Sequence, residues 1–175
     1  SGSDTPTDFT IERCEFRDTS SILNFAILVK GNATANSFDG LNLRNNVAYG
    51  LGTTTGTTFL DINATADHVR LFDNQITMAA LSSTAALAVC ASNNMADLHV
   101  ARNIIFRPST VTANGAMLSN GGTCTGLVYD NYVQHKDTDT PAIHTQTGTG
   151  LGFIENYCIL DYAADKSGAL NPAFS

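Results

Sequence analysis

The chain has 175 residues, enough for one domain that buries a sizeable core. Its formal net charge of −7 argues against a nucleic-acid-binding protein, because contacts to phosphates need clustered Lys and Arg. No apolar run approaches the roughly 18 residues of a membrane-spanning helix, and the four cysteines lack the CxxC spacing of a zinc site. We therefore expect no nucleic acid, membrane, metal or cofactor as a partner.

The first predicted elements belong to a pattern that recurs six times, apolar-x-apolar-x-x-Asn-x-apolar. In chain order the copies are FTIERCEF from Phe9, LNLRNNVA from Leu41, VRLFDNQI from Val69, LHVARNII from Leu98, GLVYDNYV from Gly126 and LGFIENYC from Leu151. Their asparagine positions lie 32, 28, 29, 28 and 25 residues apart, the first being occupied by Cys. Alternation within each copy predicts a strand, and the nearly constant spacing predicts a repeat architecture.

A second apolar segment follows each of the first five copies. These segments are FAILVK, TFLDIN, ALAVC, GAMLS and PAIHT, with turn-rich pieces such as GTTTGTT and TQTGTG between repeats. Each unit should thus hold at least two short strands, and helix should be scarce because no stretch keeps a helical period for three turns.

Two repeat architectures carry a rung of this form. Leucine-rich repeats share the L-x-L-x-x-N-x-L pattern but need an apolar helical half, which here is replaced by Thr, Gly and Asn with strand-like alternation. A parallel β-helix explains both halves. We therefore predict an all-β, single-stranded parallel β-helix (solenoid) of about six coils with ~28 residues per coil. It should span residues 9–160, after an N-terminal lead segment (1–8) and before a C-terminal tail (161–175).

Two inward columns and one asparagine column follow from this register. The first inward column is predicted to contain Phe9, Leu41, Val69, Leu98, Gly126 and Leu151, and the second Ile11, Leu43, Leu71, Val100, Val128 and Phe153. The asparagines should turn the chain between sheets and bond to backbone groups and to one another. These structural asparagines are Asn46, Asn74, Asn103, Asn131 and Asn156.

The rung motif resembles that of the right-handed parallel β-helix proteins, the pectin-lyase-like superfamily, from Phe9 to Leu160. That group includes pectin-degrading enzymes, alginate epimerases, and tailspikes and other virion proteins of bacteriophages. The resemblance would imply, for a pectin hydrolase, Asn-Thr-Asp, Asp-Asp, Gly-His-Gly and Arg-x-Lys motifs, and for a lyase Arg-x-Pro-x-x-Arg. None of these motifs is present, so the chain is closest in character to the virion-associated members.

Catalysis without those motifs would use the residues that directly precede the asparagine column. Their side chains should point outward, and Asp130 and Glu155 on adjacent coils would lie about 5 Å apart, as in a retaining glycosidase. If the chain is an enzyme, the candidates are Asp73, Arg102, Asp130 and Glu155, with Arg102 and His99 binding an acidic sugar. The alternative is a solvated ladder in which Asp73, Arg102 and Asp130 pair weakly.

The remaining histidines offer no nucleophilic set, since none is spaced with an acid and a Ser or Cys. His135 lies in the charged segment QHKDTD, where we interpret it as a turn histidine at the surface. His144 follows Ile143 on a predicted second strand.

Aromatic residues alternate out of the predicted core. An exposed row of them would form a stacking surface for sugar rings or a protein interface, and the sequence does not separate the two. These residues are Phe72, Phe106, Tyr129, Tyr132 and Tyr157.

The leading hypothesis is a non-enzymatic structural or attachment protein of a virion. It would be a phage capsid decoration protein or a tail fibre or spike module, assembling as a homotrimer at a virion surface or in an extracellular location. Its partners would be copies of itself, a capsid or tail protein, and a surface polysaccharide. The alternatives are a polysaccharide lyase or glycoside hydrolase acting on an acidic glycan, and a carbohydrate-binding module.

Overall fold

The described part of the chain is all-β in a computed structural model of the protein. The described residues are 7–17, 25–30, 36–51, 58–63, 65–78, 87–90, 94–107, 117–120, 122–135, 143–145 and 150–160. Within them there is no helix, and so none long and apolar enough to cross a membrane. Of the predicted flanking segments, residues 1–6 and the tail 161–175 lie outside the described residues, whereas residues 7–8 belong to the first strand.

Eighteen short strands make up the described chain. In chain order they are β1 (Thr7–Glu12), β2 (Glu15–Arg17), β3 (Phe25–Lys30), β4 (Asn36–Arg44), β5 (Val47–Leu51), β6 (Thr58–Asn63), β7 (Thr65–Asp67), β8 (Arg70–Phe72), β9 (Gln75–Met78), β10 (Ala88–Cys90), β11 (Met95–Ala101), β12 (Ile104–Arg107), β13 (Leu118–Asn120), β14 (Cys124–Tyr129), β15 (Tyr132–His135), β16 (Ile143–Thr145), β17 (Gly150–Ile154) and β18 (Tyr157–Leu160).

The strands form three sheets whose described pairings are all parallel. Sheet 1 has the order β1-β4-β7-β11-β14-β17, with β8 pairing β4 and β11. Sheet 2 has the order β2-β5-β9-β12-β15-β18, and sheet 3 the order β3-β6-β10-β13-β16. Each strand therefore pairs with the equivalent strand of the neighbouring sequence repeat.

The asparagine of each repeat separates two strands. β8 ends at Phe72, Asn74 follows, and β9 begins at Gln75. The residue before the asparagine has a left-handed backbone, as at Asp73 with φ of 56°, and this bend directs the chain from sheet 1 into sheet 2. The same conformation recurs in the other repeats, at Arg13, Asn45, Arg102, Asp130 and Glu155. A fully described repeat thus contributes strands to all three sheets, in agreement with the prediction of at least two strands; in the third repeat the sheet 1 part is divided into β7 and β8.

Both predicted inward columns are buried in the middle of sheet 1. Leu41, Val69 and Leu98 are fully buried, as are the members of the second column from Leu43 to Val128. The prediction is wrong at two column ends, since Phe9 is 50% exposed and Phe153 is 40% exposed. The reason is position, because β1 and β17 are the outermost strands of sheet 1 and each has a strand neighbour on one side only.

Gly126 occupies an apolar slot because no side chain fits there. It pairs with Leu98, next to a register shift in β11, and its φ is 137°. A Cβ atom at Gly126 would lie 1.9 Å from the Leu98 carbonyl oxygen. The departure from the repeat pattern is therefore a requirement of backbone packing.

Sheet 3 pairs the second apolar segments of successive repeats. Leu60 and Ile62 of TFLDIN are buried, and their pairing partners in ALAVC are Ala88 and Cys90. Leu87, directly before β10, is also buried. The run ALAVC is apolar at every position, so alternation alone could not fix its register.

Candidate functional site

The asparagine column is a continuous hydrogen-bonded ladder at the bend between sheets 1 and 2. The side-chain oxygen of Asn74 accepts from the backbone N–H of Asn46 at 3.2 Å and from its side-chain amide at 3.0 Å. The same pair of bonds links Asn74 to Asn103, Asn103 to Asn131, and Asn131 to Asn156. Each amide also donates to a carbonyl of the preceding repeat, as Asn74 does to Leu43 at 2.9 Å.

Burial explains why asparagine is needed at these positions. Asn46, Asn74, Asn103 and Asn131 are buried, and a buried amide must have its donors and acceptors satisfied. In the first repeat the backbone N–H of Cys14 donates to the Asn46 oxygen at 3.1 Å, so the ladder begins there without an amide. The ladder is therefore a structural feature of the repeat.

Two of the four residues that would be catalytic if the chain is an enzyme bind each other. Arg102 donates from Nε and Nη2 to the two carboxylate oxygens of Asp73, at 2.7 and 2.8 Å. Its guanidinium also lies over the Phe72 ring, 5.4 Å from the centroid. The hydrogen bonds to Asp73 are the main reason that the pKa of Arg102 is raised above its ordinary value. This geometry matches the solvated-ladder alternative for these two residues.

The other two candidate catalytic residues are Asp130 and Glu155. They follow β14 and β17, which are paired neighbours, and the backbone N–H of Asp130 donates to the Ile154 carbonyl at 3.1 Å. Both side chains are exposed. Exposure to water is the opposite of the apolar burial by which glycosidases prepare a general acid.

A cluster of ionisable side chains that the sequence reasoning missed lies on the outer face of sheet 1. His68 Nδ1 is 2.6 Å from Asp39 Oδ1, and its Nε2 is 3.7 Å from Asp97 Oδ2. Asp97 also binds Arg70 and, at 3.0 Å, His99 Nε2. The cluster joins β4, β8 and β11 through these five side chains.

Hydrogen bonds and charges within the cluster shift the pKa values of His68 and Asp97. The hydrogen bond and negative charge of Asp39 raise the pKa of His68 above its ordinary value. The hydrogen bond from Arg70 leads the causes that lower the pKa of Asp97. His68 and Asp97 both have left-handed backbones, with φ of 51° and 53°. The sequence contains a signal for this cluster, since His68 and Asp97 each directly precede the first apolar residue of a repeat.

The five predicted aromatic residues lie on two different sheets. On sheet 2 the Phe106 and Tyr132 ring centroids are 5.9 Å apart, and Tyr132 stacks on Tyr157 at 5.7 Å with an interplanar angle of 20°. Phe72 and Tyr129 lie on the outer side of sheet 1, where both pair with Ala101. The structure therefore brings three of the five together.

The outer face of sheet 2 has two columns of side chains that alternate with buried residues such as Ile76 and Ile105. On β5 to β18 one column contains Val47, Gln75, Ile104, Tyr132 and Tyr157, and the other Tyr49, Thr77, Phe106, Gln134 and Ile159. None of these ten residues is charged. On β2 the two columns begin with the charged residues Glu15 and Arg17. Tyr157 is 61% exposed and Ile104 is 41% exposed. We call these ten residues the sheet 2 outer face.

The structure corrects the interpretation of His135 as a turn histidine at the surface. His135 is the last residue of β15, is buried, and pairs with the buried Arg107 of β12. Its position continues the inward phase of Val133, two residues earlier. Both basic residues have interaction partners.

Neither a metal centre nor a known relative points to an activity. Among the residues that the structure describes, no group of three or more His, Cys, Asp or Glu side chains is placed to hold a metal ion. Comparisons with protein-family models, curated proteins and solved structures found no match to this chain.

Proposed function

We propose that the chain is a non-enzymatic structural or attachment module, built as a parallel β-helix and assembling as a homotrimer. The observation that carries this proposal is the uninterrupted asparagine ladder from Asn46 to Asn156. It fixes the stacking of successive repeats, and a stack held by buried, fully bonded amides suits a rigid scaffold.

The β-helix itself is supported by the order of the strands. In each sheet, neighbouring strands come from consecutive repeats and run parallel, so the chain would pass through sheets 1, 2 and 3 once per coil. With strands about 4.8 Å apart, six coils would form a column about 29 Å long. The apolar side chains of all three sheets belong to one buried cluster, which would be the interior of that column.

The virion assignment rests on the resemblance of the repeat to the β-helix virion proteins of bacteriophages. Within that assignment the chain would be a capsid decoration protein or a tail fibre or spike module at the virion surface. The exposed residues Asp130 and Glu155, and the pairing of Arg102 with Asp73, favour the structural role over a glycan-cleaving one.

Light scattering behind a sizing column tests the assembly. We expect a mass three times the 18.5 kDa of one chain. A monomer would contradict the homotrimer. The virion placement is tested separately. Mass spectrometry of density-purified particles of the phage that encodes this chain should find its peptides at many copies per particle. Their absence would contradict it.

A carbohydrate-binding module is the second candidate, favoured by one observation. The Tyr157 ring lies at the end of the three-ring stack and remains 61% exposed, so it offers an aromatic surface to a sugar. Retention of the protein on immobilised acidic polysaccharide, lost in Tyr157→Ala, would support this candidate.

A further inference from the structure

We propose that the sheet 2 outer face is the surface through which copies of this chain contact one another. The proposal rests on the homotrimer of the proposed function and names the surface that forms it. The partner is a second copy of the same chain, and the argument has three parts: charge, ring orientation, and the residues at one end of the face.

Charge distinguishes this face from the outer side of sheet 1. The outer side of sheet 1 carries many ionisable residues, which are Glu12, Asp39, Arg44, Arg70, Asp97 and His99. The ten residues of the sheet 2 outer face carry none. Because each chain has a net charge of −7, copies repel one another, and an uncharged face lets them meet without desolvating like charges.

The rings on this face pack against one another. Tyr132 lies 5.9 Å from the tilted Phe106 ring and stacks on the nearly parallel Tyr157 ring. Tyr157 and Ile104, which lie in the same column, are exposed. Tyr side chains are enriched at protein interfaces, and the buried core of an interface is apolar.

The β2 end of sheet 2 is compatible with contact between identical chains. The two columns of this face begin on β2 with Glu15 and Arg17, which form an ion pair with each other. Their charges cancel within one strand, so this end of the face adds no net charge to a contact between identical chains.

The test places one lysine on each of two faces. Ile104 is 41% exposed on the sheet 2 outer face, and Leu127 is 37% exposed on the outer side of sheet 1. We expect Ile104→Lys to have the monomer mass at concentrations where the wild type is trimeric. The matched control Leu127→Lys should remain trimeric. Circular dichroism reports whether each variant is folded.

Gln134→Lys is a second variant of the same face, for the case in which Ile104→Lys fails to fold. It adds a charge to the same face without removing an apolar side chain, and we again expect dissociation. A folded Gln134→Lys or Ile104→Lys that stays trimeric would overturn this inference while leaving the trimer intact. A monomeric wild type would instead overturn the proposed assembly. If Ile104→Lys keeps the trimer but loses retention on an acidic polysaccharide, the face binds glycan and the inference is wrong.

Discussion

The side-chain oxygen of Asn103 accepts two hydrogen bonds from Asn74, one from its backbone N–H and one from its side-chain amide, each at 3.0 Å. Asn103 in turn donates to the Asn131 oxygen at 3.0 Å and to the Leu71 carbonyl at 2.7 Å. One buried side chain thus joins three consecutive repeats. The continuity of the stack depends on each such amide.

We expect Asn103→Ala to lower the free energy of unfolding by at least about 3 kcal/mol, because it leaves several buried donors and acceptors without partners and each costs about 1–3 kcal/mol. Thermal and urea unfolding measure the loss. The control is Thr123→Ala, at an exposed position of the neighbouring repeat, which should change stability by less than about 0.5 kcal/mol. Equal effects of the two substitutions would show that the ladder contributes little.

Gly126→Ala tests the close approach of two strands. The added Cβ would lie 1.9 Å from the Leu98 carbonyl oxygen, at a backbone φ of 137°. We expect a loss of about 3 kcal/mol or more, or failure to fold, since both the clash and the strained backbone oppose the side chain. Gly150→Ala is the control, because its Cβ would meet only the Thr125 side chain at 3.2 Å. Soluble yield and thermal unfolding should separate the two variants.

Much of this architecture could be predicted because the asparagine marks where each repeat bends and therefore which of its residues point inward. Once Asn74 is placed at a bend, Val69 and Leu71 must point to one side, and both are buried. The same reasoning failed at Phe9, because a periodic pattern does not reveal that the outermost strand lacks a neighbour on one side.

The ionic cluster of sheet 1 could not be predicted from repeat spacing alone. His68 and Asp39 are 29 residues apart and meet only because β4 pairs with β7, the strand that ends directly before His68, in the register Asp39 to Asp67. Register shifts lie nearby in β4 and in β11, the strand that contains Asp97. A bulge changes which side chains meet without changing the apolar pattern.

The pKa of His68 should be above its ordinary value of about 6.5, because Asp39 stabilises the protonated ring. A raised folded-state pKa means that the stabilisation is fully present below the unfolded-state pKa and is lost as pH rises through the folded-state value. NMR titration of the ring protons measures the pKa directly. In Asp39→Asn it should fall toward 6.5, whereas Asp130→Asn should leave it unchanged. An equal response to both substitutions would show that the contact with Asp39 is not the cause.

The last prediction concerns the four residues that would be catalytic if the chain is an enzyme. Asp130 and Glu155 are exposed, and Arg102 is bound to Asp73, so we expect no cleavage of acidic polysaccharides such as pectate or alginate by the purified protein. Release of reducing ends and of unsaturated products at 235 nm are the two measurements, since they detect hydrolysis and elimination respectively. Asp130→Asn and Glu155→Gln provide the matched comparison. Cleavage by the wild type that disappears in both variants, with folding retained, would establish an enzyme and overturn the structural assignment. Cleavage that persists in both would indicate a contaminating activity or a different catalytic site.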